Sequence, residues 1–423
     1  MNYEETLSYI HKVSWTGSRP GLERIEELLE LLGNPQKQLR FIHVAGTNGK
    51  GSFCAMCDSV LRKAGYKTGL YTSPYIERFN ERITIQGNPI SDDELAEITT
   101  YVKGFADTMA DPPTEFELIT AVAMVAFSKN QCDPVVLEVG MGGRLDATNV
   151  IEHPLLSVIT GISLDHTAFL GDTVEKIAFE KAGIIKDGVP ILYGGENEIA
   201  AAVIKQRADE KNAEFFRTPR NELKIERLSF EGTDFSFAEQ TYHIGLLGTY
   251  QPYNAANVIA AVEILGRRGL VIGEADLQEG LAEAEWKGRF EMLSKDPIFV
   301  IDGSHNPEGI AAAVEGIRML FDEKVILLSG VMADKDYADM AETLSSVALC
   351  AVTLKPNNPR ALAAELYAAE FRKNEVEAEG FDCVDDAVKR AVCLAAERKR
   401  PVVALGSLYM YGEVKSALLK TKK

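Results

Sequence analysis

The stretch FIHVAGTNGKGS at 41–52 constrains the fold more than any other part of the chain. Its first five residues form a short apolar run of strand type. The glycine-rich turn after them leads into a helical pattern from about Ser52 to Ala64. A strand, a glycine turn and a helix in that order are the setting of a phosphate-binding loop. Glycines let backbone N–H groups turn inward on phosphate oxygens, and the helix N-terminus adds a favourable dipole. Lys50 supplies a point charge for terminal phosphates, and Ser52 a hydroxyl for magnesium. The common spacing GxxxxGK[ST] is not met, because Val44 stands at the first glycine position and Gly51 separates Lys50 from Ser52. Strand, lysine and hydroxyl together still favour nucleotide binding over an ordinary glycine turn.

Around this unit the chain alternates strand and helix, which predicts an α/β architecture. Strands are expected at 67–71, 135–139, 155–159 and 190–193. Ser91 with Glu94, and Thr114 with Glu117, fit the capping-box pattern that opens a helix. The run 118–127 is apolar on most faces, so its helix should be buried. A second series begins near Pro297, with strands at 298–301, 325–328, 349–353 and 402–405. Helices are expected near 308–320, 336–344, 360–371 and 385–398. The expected organisation is a P-loop domain with a mostly parallel sheet at 1–286, a linker at 287–296, and a smaller doubly wound, Rossmann-like domain at 297–423.

With 423 residues, 45 Lys and Arg and 63 Asp and Glu, the chain carries a formal net charge of −18. That field repels phosphate backbones, which argues against a general nucleic-acid or anionic-membrane binder. Any anionic substrate must be held by local cations, backbone amides or a metal ion. MNYEETLSYI lacks the order of a signal peptide, and no apolar run reaches the roughly 20 residues of a membrane span. The six scattered cysteines argue against a disulfide framework and fit a reducing cytoplasm. Cys54 and Cys57 fall within a helical pattern with no second pair, so core packing is expected of them.

Four further segments carry reactive side chains. Glu138 follows a strand and opens the glycine-rich EVGMGGRLDATN at 138–149. A carboxylate at the carboxyl end of a parallel strand, opposite a P-loop, can hold magnesium directly or through water. His166, in ISLDH at 162–166, falls at the same end of the sheet, although a lone histidine there is more often structural. Lys181 and Lys186, in EKAGIIK at 180–186, read from spacing alone as solvated helix-end cations. In DGSHNP at 302–307, Asn306 can cap a helix with Pro307 at its first position. Asp302 ends a strand, where ribose-gripping acids are found; function and architecture explain that segment equally well.

Taken in order, GTNGKGS, TSP at 72–74, TEFE at 114–117, LEVGMGGRLDATN, Asp165-His166, EKAGIIK, QPYNAA at 251–256, GRFE at 288–291 and DGSHNP resemble the folylpolyglutamate synthase and dihydrofolate synthase family, within the wider Mur ligase group. The resemblance spans nearly the whole chain. It implies ATP-dependent ligation of L-glutamate to dihydropteroate or reduced folates through an acyl phosphate. Carried over by motif, Thr47, Asn48, Gly49, Lys50, Gly51 and Ser52 would cradle the ATP phosphates. Ser73, Glu138 and His166 would bind Mg2+. Lys181 matches a lysine that is carbamylated in the family, which reverses the bland reading of that residue. Asn254, Arg289 and Asp302 match positions contacting ATP, and His305 a place near the reaction centre. Gly21, Leu22, Glu23, Arg24, Phe116, Leu145, Asp146 and Ala147 would form the pterin pocket. The resemblance implies a cytoplasmic enzyme, expected to be a monomer, and leaves any K+ requirement open. Rival readings are a Mur-type ligase for another carboxylate, disfavoured by the short stretch before Gly46, and a nucleotide-dependent switch without ligation.

Overall fold

The computed structural model of the protein describes residues 1–12 and 21–421. By their contacts these fall into two compact units, Met1–Leu223 with Tyr253–Ala284, and Lys224–Pro252 with Glu285–Lys423. The first unit is built on an eight-stranded sheet. Its strands are β1 Phe41–Ala45, β2 Gly69–Tyr71, β3 Ile83–Ile85, β4 Asn88–Pro89, β5 Val135–Glu138, β6 Leu156–Ile159, β7 Ile191–Tyr193 and β8 Phe215–Arg217. Their spatial order is β4-β3-β2-β5-β1-β6-β7-β8. All six strands from β2 to β8 in that order pair in parallel, and β3 and β4 close one edge antiparallel. β1 sits in the middle with all five residues buried, as a strand covered on both faces must be.

Local grammar sets the helices around this sheet. Thr114 accepts from the Glu117 amide while Glu117 returns a bond to the Thr114 amide, so the predicted capping box is complete. The helix behind it, Glu115–Lys129, is buried along most of its length. At Ser91 only the serine half of the box forms. The helix Lys50–Lys63 encloses Cys54 and Cys57 in the core as free thiols, and burial raises the pKa of both. Helix Lys50–Lys63 packs closely on helix Glu274–Ala282, where a Cβ on Gly280 would meet Val60 N at 2.8 Å.

The second unit holds two sheets. One is a three-stranded antiparallel meander, β9 Lys224–Ser229, β10 Gly232–Phe237 and β11 Gln240–Ile244. The other comprises β12 Glu291–Lys295, β13 Ile298–Ile301, β14 Val325–Ser329, β15 Ala348–Leu354, β16 Glu377–Phe381 and β17 Val402–Leu405, in the order β12-β13-β17-β14-β15-β16. β13 through β16 pair in parallel with β17 inserted between β13 and β14, the doubly wound pattern expected. Two boundaries differ from expectation. The segment 287–296 is not a linker, because Glu291–Lys295 pairs antiparallel with β13 as the sheet's edge strand. The meander at 224–252 does not join the first unit, because Phe230 and Leu247 enter the apolar cluster around Phe290, Val300 and Ile310.

Candidate active site

The glycine loop leaves β1 after Ala45 and enters the helix at Lys50, so it sits at the carboxyl end of the central strand. Gly46 and Gly49 hold φ values of 153° and 88°, which disfavour any residue with a Cβ. A Cβ on Gly46 would collide with Thr160 Oγ1, and one on Gly49 with Asn254 Oδ1. Asn254 is therefore seated against the loop. The loop is braced from the turn after β6. Thr47 N donates to Gly161 O at 2.7 Å, and Thr160 Oγ1 to Asn48 O at 2.7 Å. Ser163 N donates to Thr47 Oγ1 at 3.2 Å. Lys50 folds over the loop's own carbonyls, its Nζ 3.0 Å from Gly46 O and 3.2 Å from Thr47 O.

Lys181 meets the same carbonyl. It projects from the helix Val174–Ala182, is 4% exposed, and donates from Nζ to Gly46 O at 2.8 Å. Burial, and secondarily the Lys50 ammonium, push its pKa from 10.5 down to about 7. It is thus a buried amine, not the solvated cap that spacing alone predicts. Glu138 ends β5, the neighbour of β1, and is 3% exposed. Its Oε2 accepts from Ser73 N at 3.0 Å, so the structure brings these two expected metal ligands together. A serine hydroxyl and a carboxylate are the oxygen donors magnesium takes, and it commonly uses only one or two protein ligands beside water. His166 stands apart in this respect. Its side chain is 50% exposed, its backbone is left-handed, and its amide donates to Asp165 Oδ1 at 2.8 Å. Among the described residues, no three His, Cys, Asp or Glu side chains gather around a common point fit for a metal.

The glycine-rich loop at 140–149 lies against two walls. On one side the Phe116 ring packs on Gly140, where a Cβ would approach Cζ to 2.5 Å. On the other, Gly143 abuts the backbone of Glu180 and Lys181, and Arg144 pairs with Glu180. Inside the loop, Asp146 is 7% exposed. Its Oδ2 accepts from Met141 N at 2.9 Å, and its Oδ1 from Thr148 N at 3.0 Å and Thr148 Oγ1 at 2.6 Å. Ala147 is buried beside it, and Leu145 points outward with 36% exposure. Gly21 and Leu22 precede the helix Glu23–Leu31. Arg24 on that helix makes a buried bidentate pair with Glu117, Nε to Oε2 at 3.1 Å and Nη2 to Oε1 at 2.8 Å. The pair pins the helix to the capping box next to Phe116.

In the second unit, Asp302 follows β13 and is 1% exposed. Oδ2 accepts from Tyr250 OH at 2.7 Å and Phe290 N at 2.9 Å, and Oδ1 from Ser304 N at 2.9 Å. Arg289 reaches back along the same turn, close enough that a Cβ on Gly303 would strike its Nη1. His305 Nδ1 donates to Gly303 O at 2.8 Å, and Asn306 caps the helix Pro307–Leu320 through Gly309 N. Arg289, Asp302 and His305 are therefore brought together. Sequence reasoning missed Thr160, Gly161, Ser163 and Tyr250, which position the loop and the aspartate. Only the placement of 160–163 directly after an expected strand could have pointed to the first three.

The chain matches the Mur ligase middle domain over residues 44–262 and the Mur ligase glutamate ligase domain over 288–408. It is 38% identical to the folylpolyglutamate synthase of Lacticaseibacillus casei, with 100% of both chains covered. It is also 38% identical to the dihydrofolate synthase/folylpolyglutamate synthase of Bacillus subtilis (strain 168), covering 98% of this chain and 99% of the relative. A solved FPGS–AMPPCP–folate complex superposes with a TM-score of 0.86 at 35% identity, over 99% of this chain and 100% of the other. The GTNGKGS loop, the buried Glu138 and Lys181, and the Asp302 turn thus stand in a chain that belongs to the Mur ligase family, on its folylpolyglutamate synthase and dihydrofolate synthase branch.

Proposed function

We propose that this protein is an ATP-dependent ligase that joins L-glutamate to dihydropteroate, to reduced folates, or to both. The observation that carries the reading is the convergence of Lys50 and Lys181 on Gly46 O, at the carboxyl end of β1 and one strand from the buried Glu138. A carboxylate is inert to amines until one of its oxygens becomes a leaving group. In the proposed reaction a carboxylate oxygen of the pterin substrate attacks the γ-phosphorus of ATP, and the bond to the β-phosphate oxygen breaks. The glutamate amine then attacks the acyl carbon, and inorganic phosphate leaves with the amine losing a proton.

Each residue's part follows from its chemistry. Thr47, Asn48, Gly49, Gly51 and Ser52 offer backbone amides and hydroxyls to the phosphates, and Lys50 offsets charge between two anions. Ser73 and Glu138, with His166 as the expected third ligand, would hold Mg2+, which neutralises developing phosphoryl charge. Lys181 is buried with its pKa lowered to about 7. Its neutral Nζ can attack CO2 and lose a proton to give a carbamate, a carboxylate beside the loop. Asn254, Arg289 and Asp302 are assigned to ATP and His305 to the reaction centre. Gly21, Leu22, Arg24, Phe116, Leu145, Asp146 and Ala147 are assigned to the pterin, with Arg24 and Asp146 acting as braces for its walls. Within this reading the first unit supplies the phosphate loop and the pterin residues, and the second supplies Arg289, Asp302 and His305. No helix among the described residues is long and apolar enough to cross a membrane, and the six thiols are free. The free thiols fit a reducing cytoplasm, and that location and a monomeric state belong to this proposal.

The test is phosphate release with ATP, magnesium and L-glutamate, offering dihydropteroate in one reaction and tetrahydrofolate in another. Turnover with either supports the ligase and assigns the step, and turnover with both makes it bifunctional. Silence with both, while ATP still binds, refutes the pterin reading.

A further inference from the structure

His43 lies at the centre of β1, wholly buried among Phe41, Ile42, Val44 and Ala45. An apolar residue would fill a central strand at lower desolvation cost, so a buried imidazole there calls for a polar reason. Its Nε2 is 2.9 Å from Thr148 Oγ1, and Thr148 Oγ1 is 2.6 Å from Asp146 Oδ1. Burial pushes the Asp146 pKa up, but the bonds it accepts from Met141 N, Thr148 N and Thr148 Oγ1 favour its carboxylate, which only accepts, so the single hydroxyl proton of Thr148 points at Asp146. The hydroxyl oxygen can then only accept from His43, which fixes the ring as the tautomer with its proton on Nε2. Nδ1 has no hydrogen-bond partner among the described residues, in keeping with a ring whose polar task is on one side. Burial, with Lys186 nearby, lowers the His43 pKa to about 3, so the ring stays neutral. At the far end of the chain of bonds, Asp146 Oδ2 holds Met141 N. One line of hydrogen bonds therefore runs from the strand under the nucleotide loop to both ends of the 140–148 segment.

We propose that His43 is a positioning residue for the pterin substrate: its Nε2–H orients Thr148, and through it Asp146, so that the loop from Gly140 to Ala147 presents one fixed wall. The proposal rests on the pterin reading of that loop given above. It predicts a dependence on where the donor stands, not merely on filling the space. A glutamine can place its amide N–H near the Nε2 position, an asparagine stops short of it, and a leucine brings no donor.

The experiment compares H43Q, H43N and H43L in the full chain. Expected in H43N and H43L is a rise of roughly tenfold in KM for the pterin substrate, with KM for ATP nearly unchanged and H43Q close to the parent. Amide hydrogen exchange at Met141 and Thr148 should quicken in H43N and H43L and not in H43Q. Nitrogen NMR of the unaltered protein should show His43 protonated at Nε2 alone. Equal pterin KM in H43Q and H43L overturns the proposal. So do a matching rise in both KM values, or unchanged exchange in H43L. If no His43 replacement folds, Thr148→Ser, which keeps the hydroxyl, against Thr148→Val, which removes it, makes the same comparison. A parent protein that turns over no pterin refutes the proposed function and with it the substrate role, while exchange at Met141 and Thr148 still decides whether His43 holds Asp146.

Discussion

Two lysine side chains share one carbonyl oxygen at the heart of this site, Lys50 and Lys181 on Gly46 O. Their fates diverge because only Lys181 is buried. Lys50→Ala should lower glutamate-dependent ATP turnover by about a hundredfold or more with the melting transition preserved, since it removes charge at the phosphates and no core packing. Steady-state kinetics beside a thermal melt checks this. For Lys181 the folded pKa of about 7 lies below the free value of 10.5. The folded state thus sheds a proton that the unfolded chain keeps, and the unmodified protein gains stability as pH climbs from 7 toward 10.5. Carbamate formation needs the neutral amine, so occupancy should fall as pH drops below about 7. Enzyme stripped of CO2 at mildly acid pH should lose activity and regain it on adding bicarbonate, with the labelled carbon visible on Lys181. Recovery without bicarbonate would count against the carbamate. None of this was visible in the spacing of EKAGIIK, which looks like any helix end; burial is a property of the folded neighbourhood.

Elements are held to their places by contacts of small area and high consequence. Gly280 lets helix Glu274–Ala282 lie on helix Lys50–Lys63 with no room for a side chain. Gly280→Val should destabilise the first unit by about 1–3 kcal/mol or more through overpacking, read from denaturant unfolding. It should also weaken nucleotide affinity, because the displaced helix begins at Lys50. The sequence revealed β1, β5, β6, β7 and the parallel strands β13, β14, β15 and β17 closely, because strands covered on both faces are continuous apolar runs. It concealed β9, whose KIERLS has no fully buried residue, and β16, whose EAEGF mixes acids with small residues at an edge. It concealed β12 too, since a half-buried edge strand next to Gly288 resembles a connection. The nucleotide loop was legible because glycine, lysine and hydroxyl must be adjacent in sequence. Its braces at Thr160, Gly161 and Ser163 were not, since a bond across more than a hundred residues leaves no local mark.

At the scale of the whole molecule, neither unit is a continuous piece of chain. The backbone passes from one to the other at 223/224, back at 252/253, and out again at 284/285. A protein stopped after Ala284 should therefore expose Phe230 and Leu247, which belong to a core that begins near Phe290. It should bind an apolar dye more strongly than the same fragment with 224–252 replaced by a flexible linker; equal dye binding would contradict this assignment of the meander. The same threading has a temporal side. On the ribosome, Phe230 and Leu247 emerge before Val300, Ile310 and Val325 have been made, so they wait without the side chains that will cover them. The unit that begins with Met1 cannot be finished until a portion of the other has left the exit tunnel. Synthesis interleaves the two units where a simple two-domain chain would make them one after the other, and a chaperone has a defined interval in which Phe230 and Leu247 need shelter.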